Sequence, residues 1–187
     1  MIPKGSKLLD HLSPDEKVKY LEEREAKKIE QANAQKVLRR FTKHIKSLGY
    51  IRTKPTFWVR EQTNIVQFIH IHKYTFGPCF RIHTCLRPHN SSLEFIALTG
   101  PTEKELSSNV SFEYTNKTDS IDQCAIKMSS FVQRQSEEWY EKWSRPSSLI
   151  GALSPLNEKD QSGFKQSLEG NSNSKWVRRT KDLLKIV

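Results

Sequence analysis

Three apolar runs in the middle of the chain constrain the fold more than any other feature. They cover residues 65–72, 79–86 and 93–98, and turn-forming Gly, Pro, Asn and Ser residues separate them. Runs of this length that are rich in β-branched and aromatic residues are typical of antiparallel strands. With shorter runs at 57–60 and 110–114, they predict an antiparallel sheet of four to five strands over residues 57–114.

Side-chain alternation predicts how the second and third strands pair. If Tyr74 lies opposite Cys79 across a four-residue loop, one face of the strand pair becomes apolar. That face carries Ile65, Ile69, Ile71, Phe80, Ile82 and Leu86. In the same register, the pairs on the other face are His70–His83 and His72–Arg81.

A long helix is predicted before the sheet, over residues 13–48. Ser13 provides an N-cap, Pro14 stands at the first helical position, and Glu16 completes a capping box. Gly49 is well placed to end the helix. The first half, to residue 31, is mostly charged, and we expect it to project from the domain or to associate with a partner. The second half carries an apolar stripe, which consists of Ala34, Val37, Leu38, Phe41, Ile45 and Leu48.

A second packed helix is predicted over residues 119–144, with Asp119 or Ser120 as its cap and Pro146 just beyond its end. Together these elements indicate one α+β domain over residues 1–144. Residues 145–187 are lower in apolar content, and we expect them to be a partly mobile, basic, helical C-terminal extension.

Composition and charge limit the classes of protein that this chain can represent. The chain has 187 residues and a formal net charge of +10. The charge is uneven: residues 1–60 contain fifteen Lys or Arg and seven Asp or Glu. Three unpaired cysteines and no signal-peptide pattern favour a cytoplasmic location, and no apolar run approaches the ~20 residues of a membrane span.

The second half of the long helix carries a basic ridge on the side opposite its apolar stripe. The basic ridge consists of Lys36, Arg39, Arg40, Lys43 and Lys46. Arg52, Lys54 and Arg60 continue it along the chain, and Arg178 and Arg179 add charge near the C-terminus. No acidic residue stands between Glu30 and Glu61. The ridge fits either an ordinary solvated helix face or a surface that binds an anionic partner.

Nucleic acid is one such partner, because clustered cations neutralise phosphates. Binding of single strands also needs exposed aromatic side chains for base stacking. Trp58, Tyr74 and Phe76 are the candidates, although aromatic residues of this kind more often lie in the core. No helix-turn-helix or other reader motif occurs, so the sequence does not support sequence-specific recognition.

The histidine-bearing face of the sheet suggests a metal site as an alternative. His70, His72, His83 and Cys85 are donor types that zinc accepts. None of the usual paired zinc motifs occurs, so a structural role for these side chains is favoured over a metal.

The same face could instead carry acid–base or nucleophilic chemistry. Pairing of Leu86 with Leu93 would place Glu94 beside Cys85, and His83 would then have an orienting carboxylate and a nearby thiol. A half-buried polar face covered by a helix explains these residues more simply. No catalytic residue and no cofactor is therefore assigned, since phosphate-binding loops and acidic metal clusters are also absent from the sequence.

Residues 48–83 carry a pattern that resembles a known family. A helix ends in Leu48-Gly49-Tyr50, a Thr-Phe-Trp-Val-Arg strand follows at 56–60, and a Val-Gln-Phe-Ile strand begins at Val66. Gly77 then precedes Phe80-Arg81-Ile82. This pattern resembles the uncharacterised bacterial family called domain of unknown function 4304. The resemblance implies an α+β fold and a bacterial cytoplasmic protein, and it supplies no reaction or catalytic residues.

We therefore expect a non-catalytic bacterial binding protein that engages nucleic acid or an acidic protein surface through its basic ridge and C-terminal extension. A role in bacterial defence or immunity is an expectation by association, since small bacterial domains often occur in such systems. The alternative is an enzyme or metal-binding protein that uses the His, Cys and Glu cluster.

Overall fold

The computed structural model describes residues 11–92, 98–102, 112–171 and 173–186. The helices are α1 (Pro14–Ile45), α2 (Thr118–Phe131), α3 (Glu137–Trp143), α4 (Pro146–Leu149), α5 (Glu158–Leu168) and α6 (Ser174–Leu184). The strands are β1 (Ile51–Lys54), β2 (Phe57–Glu61), β3 (Ile65–Lys73), β4 (Cys79–Pro88), β5 (Leu98–Thr99) and β6 (Phe112–Glu113). The predicted α+β class is confirmed.

The ends of α1 follow the predicted capping chemistry. The Ser13 hydroxyl accepts a hydrogen bond from the Glu16 N–H, and the Glu16 carboxylate accepts one from the Ser13 N–H at 2.8 Å. A 3₁₀ turn, Lys46–Leu48, tightens the C-terminal end. Gly49 follows with φ of 84°, a left-handed conformation that suits glycine. This turn directs the chain into β1.

All strand pairs are antiparallel, in the order β1-β2-β3-β4-β5, and β6 pairs with the other end of the same edge of β4. The predicted register of β3 and β4 is confirmed, because His70 lies opposite His83 and His72 opposite Arg81. The sequence did not predict β1, which pairs with β2. Its residues are mostly polar, so they lack the apolar alternation that identifies a buried strand.

The predicted pairing of the fourth strand is wrong. Leu86 lies opposite Leu98 rather than Leu93, and Cys85 lies opposite Thr99. Among the described residues of the third apolar run, Leu98 pairs with β4. Residues 93–97 lie outside the described residues, and so does the predicted position of Glu94 beside Cys85.

The main core lies between one face of the sheet and α1, α2 and α3. The predicted stripe of α1 is buried from Ala34 to Ile45, and it packs against Trp58, Ile69 and Ile71. Each of these side chains is at most 3 % exposed. Burial of apolar surface of this extent is the principal stabilising contribution to such a layer.

The opposite face of the sheet carries a smaller core that the C-terminal helix covers. Leu184 of α6 packs with Val59, Val66, Phe68 and Cys85. Sequence analysis placed residues 145–187 outside the domain, but this segment packs on it. Its members of the main core are Leu149, Leu156 and Phe164. A few apolar residues at the right positions are thus enough to hold this segment on the domain, although its overall apolar content is low. The partial mobility of the segment stays a prediction.

The second predicted helix is present, but it is not regular. It consists of α2 and α3 joined by a π-helical stretch, Val132–Ser136. The Ser136 hydroxyl shares a hydrogen bond of 2.7 Å with the hydroxyl of Thr84 on β4. Neither Asp119 nor Ser120 caps α2 as predicted, because the helix begins at Thr118 and the Ser120 hydroxyl accepts a hydrogen bond from the Thr115 N–H.

Candidate anion-binding surface

The basic ridge lies on the side of α1 that faces away from the sheet. A helix repeats every 3.6 residues, so burial of the apolar stripe forces residues 36, 39 and 43 to the opposite side. Lys36, Arg39, Lys43 and Lys46 are all exposed, and Arg40 is half-buried. The sequence prediction of an outward-facing row of cations on this helix agrees with this geometry.

Most of the ridge charge has no acidic counterpart in the part of the chain that the structure describes. The Arg40 Nε lies 2.9 Å from an Asp122 carboxylate oxygen on α2, so Arg40 is neutralised inside the fold. Among the residues that the structure describes, the other four ridge cations form no ion pair. The Lys36 amine donates only to the Asn33 side chain, at 3.0 Å. The ridge therefore presents uncompensated positive charge to solvent.

Arg52 extends the ridge across the first strand. Its guanidinium lies 5.0 Å from the centre of the Trp58 ring, and it donates to the Pro55 carbonyl. Burial lowers the pKa of Arg52, and the like charge of Arg39 lowers it further. Arg52 therefore adds positive charge near Arg39.

The other predicted cations lie elsewhere. Lys54 contacts the Phe57 ring and donates to the Leu183 carbonyl of α6, so it belongs to the opposite side of the sheet. Arg178 is exposed on α6, and Arg179 lies 5.7 Å from the centre of the Trp176 ring on the same helix. Since α1 and α6 pack on opposite faces, the ridge and the C-terminal cations do not form one surface.

The predicted stacking residues divide into buried and exposed members. Trp58 is fully buried, and its indole N–H donates to the Thr42 hydroxyl at 2.9 Å. Tyr74 and Phe76 lie at the β3–β4 turn, where Phe76 is 83 % exposed and the two ring centres are 4.7 Å apart. None of the three predicted stacking residues thus lies exposed beside the ridge.

The histidines form an aromatic stack rather than a converging set of ligands. The His70 and His83 ring centres are 5.6 Å apart, and the Phe57 ring stacks on His70 at 4.4 Å. His72 turns toward Tyr74 instead, with ring centres 5.6 Å apart. Burial, followed by the nearby imidazoles of His83 and His72 and the charge of Lys54, lowers the pKa of His70 to about 4.

Cys85 is poorly suited to act as a nucleophile or a metal ligand. Its side chain is fully buried in the smaller core, and this burial raises the pKa of the thiol well above its ordinary value. Thiolate chemistry requires the opposite shift. No group of three or more His, Cys, Asp or Glu side chains in the described ranges is arranged to hold a metal ion.

A polar cleft at one end of the sheet, with a volume of about 410 Å³, was not predicted from the sequence. Arg60 was predicted to continue the basic ridge, but it points into this cleft and binds Glu137 of α3 at 2.8 Å. Tyr50 donates to the same carboxylate at 2.8 Å, and Gln67 accepts from the Arg60 Nε at 2.7 Å. The charged partner of Arg60 stands 77 residues away on α3, and no local pattern in the sequence indicates that contact.

The groups in the cleft already satisfy one another. The Arg60 guanidinium also donates to the Leu48 carbonyl at 2.8 Å, and Gln67 donates to the Ser144 hydroxyl at 2.6 Å. Burial keeps the pKa of Tyr50 well above its usual value, so this hydroxyl stays protonated and donates. The network therefore joins β2, β3 and α3 and stabilises the fold.

None of the described helices is long and apolar enough to span a membrane. Comparisons of the chain with protein-family models, with curated proteins and with solved structures found no match.

Proposed function

We propose that this chain is a non-catalytic binding protein that holds an anionic macromolecule against the basic ridge of α1. The supporting observation is the uncompensated charge of Lys36, Arg39, Lys43 and Lys46 on an exposed helix face. An ordinary solvated helix face usually mixes both signs, as the first half of the same helix does. The two halves share one backbone geometry and differ in charge.

The spacing of the cations suits a linear polyanion. A helix rises 1.5 Å per residue, so Lys36, Arg39 and Lys43 follow one another at intervals of about 5 Å along the axis. A phosphate backbone or a row of carboxylates on a protein could meet these groups in succession. Long-range attraction toward such a patch accelerates association and weakens with added salt.

Salt dependence of nucleic-acid binding tests this proposal. Four neutralised phosphates predict a slope of about −3.6 for log affinity against log salt, or a loss of roughly 100-fold between about 50 and 200 mM salt. Fluorescence anisotropy with a labelled DNA duplex measures this slope. Labelled poly-glutamate serves as the second probe, since it represents an acidic protein surface.

Matched charge reversals localise the binding. The variant K36E/R39E/K43E changes three exposed ridge cations, and K19E/R24E/K27E changes three exposed cations in the first half of α1. Both lower the net charge equally. We expect the ridge variant to lose affinity at least about tenfold more than the control. Equal losses, or no binding of either probe, would contradict the proposal.

A role of this binding in bacterial defence is a further proposal, supported only by the family resemblance of residues 48–83. Its test is a pull-down from native cells with the ridge variant as the negative control. Recovery of the same proteins by both forms would count against it.

A further inference from the structure

Most of the first half of α1 projects beyond the rest of the domain, as far as Glu30, which binds Lys73 of β3. Among residues 13–29 no side chain is buried, and the first buried side chain of the helix is Asn33. Three aliphatic residues of this half remain about half exposed, namely Val18 at 57 %, Leu21 at 52 % and Ile29 at 48 %. A helix segment without tertiary contacts is only marginally stable in water, so this half gains from a partner.

The outer side of α1 changes its character along its length. At 100° per residue, Val18, Leu21 and Ile29 fall on the same side as the ridge residues Lys36, Arg39 and Lys43. Glu22 and Glu25 lie on or beside the aliphatic part of this side. The ridge is basic, with no acidic residue from 31 to 60. One helix side therefore carries aliphatic residues with Glu22, Glu25 and a single cation, Lys28, at one end, and only cations at the other.

We infer that the ridge receives the first half of α1 from a second copy of this chain, in an antiparallel, twofold-symmetric helix pair. A twofold interface requires a surface that is complementary to itself. In an antiparallel pair, two residues lie level when their numbers add up to a constant. One constant, 61, brings together Glu25 with Lys36, Glu22 with Arg39, Val18 with Lys43, and Ile29 with Ala32.

Each of these four contacts between the two helices is favourable. Two of them join opposite charges, and the twofold axis generates each of these two contacts twice. Ile29 meets Ala32 near the axis, where the small side chain allows close approach. Val18 packs on the methylene stem of Lys43, whose charged end remains in water. The helix dipoles also oppose each other in this arrangement, which is favourable.

Competing contacts of these groups within one chain are weak. Glu25 lies 2.9 Å from Lys28 on its own helix, but both side chains are 61 % exposed. Exposed pairs of this kind contribute little, so Glu25 can exchange Lys28 for Lys36 of the partner copy. Contact along residues 18–43 covers about 38 Å of helix, which corresponds to a small and concentration-dependent interface.

This inference depends on the proposed function, because it names the anionic surface that the ridge holds. Sedimentation velocity of the full chain from about 5 to 500 µM tests it, and we expect the weight-average mass to rise toward that of a dimer. A constant monomer mass would overturn the inference. If the ridge variant nevertheless lost DNA affinity in the assay above, the proposed function would stand without it.

Charge exchange tests the geometry of the pair. We expect E22K/E25K and K36E/R39E each to raise the dissociation constant at least about tenfold, since four attractive contacts become repulsive. The combined variant E22K/E25K/K36E/R39E should recover dimerisation, because every contact regains opposite signs. All four positions are outside the core, and circular dichroism verifies that the fold is kept.

Failure of the combined variant to dimerise, with its fold intact, would overturn the antiparallel pairing. Dimerisation that neither paired variant weakens would also overturn it, since another surface would then form the interface. L21N serves as an independent variant, because it removes an aliphatic side chain from this part without adding charge and without touching the ridge. We expect L21N to weaken dimerisation while its affinity for DNA stays within about twofold of the original.

Discussion

Substitution of Arg60 by alanine examines the polar network that joins the sheet to α3. The guanidinium makes three hydrogen bonds, to Gln67, Leu48 and Glu137, and its side chain is only 17 % exposed. The change would leave the Glu137 carboxylate, which is 23 % exposed, with Tyr50 as its remaining partner.

The expected cost follows from the burial of the pair. Removal of one member of a fully buried ion pair costs about 3–5 kcal/mol, and the partial exposure here reduces that range to roughly 2–4 kcal/mol. For a chain of this size, such a loss lowers the melting temperature by roughly 4–16 °C. Urea unfolding followed by tryptophan fluorescence gives the free energy of unfolding directly.

R39A and E137Q serve as comparison variants for R60A. R39A removes an exposed arginine and should change the free energy of unfolding by less than about 0.5 kcal/mol. R60A should leave DNA affinity nearly unchanged, whereas R39A should reduce it. A double-mutant cycle with E137Q isolates the pair itself. If R60A costs less than about 0.5 kcal/mol, Arg60 is a solvated cation and the interior network is refuted.

Two further predictions concern the histidine stack and the C-terminal segment. The folded chain keeps His70 neutral down to about pH 4, whereas the unfolded chain protonates it near its ordinary pKa of 6.5. The contribution of neutral His70 to the free energy of unfolding is therefore fully present above about pH 6.5, and it is lost as the pH decreases toward 4. When the pH is lowered through this window, the urea midpoint of unfolding should decrease less for H70N than for H72N. Equal decreases would contradict the lowered pKa of His70. G163A should cost about 1–3 kcal/mol, because a Cβ there would lie 2.8 Å from the Asn90 carbonyl oxygen. G77A, where the Cβ meets no atom within 4 Å, is its control, and equal stabilities would show that α5 does not pack closely on this loop.

Local chemistry in the sequence was sufficient to predict the features that depend on neighbouring residues. The capping box at Ser13 and the left-handed Gly49 are determined within one helical turn. The register of β3 and β4 follows from alternation, because a shift by one residue would move Ile69 out of the core and His70 into it.

Features that depend on distant contacts could not be predicted in this way. The third apolar run pairs with β4 at Leu98, because the partner of a strand edge depends on the path of the loop before it. From the sequence, Arg60 is predicted to belong to a basic surface, because its ion-pair partner Glu137 is distant along the chain. The ridge and Arg178 belong to segments of similar charge, yet the sheet separates them, and charge along a sequence carries no information about which face it reaches.

The π-helical stretch before α3 takes up one residue more than a regular α-helix would over the same length. Tyr140 lies beyond it, and its hydroxyl is 2.9 Å from the Phe68 carbonyl and 3.0 Å from the Cys85 carbonyl, between two neighbouring strands. The five π-helical residues turn the chain roughly as far as four α-helical residues would, so loss of one residue from Val132–Ser136 would leave the direction of Tyr140 nearly unchanged. Loss of one residue from α2 would instead turn Tyr140 away from the strands by about 100°, so we expect single deletions in this helix to be tolerated only within its π-helical stretch.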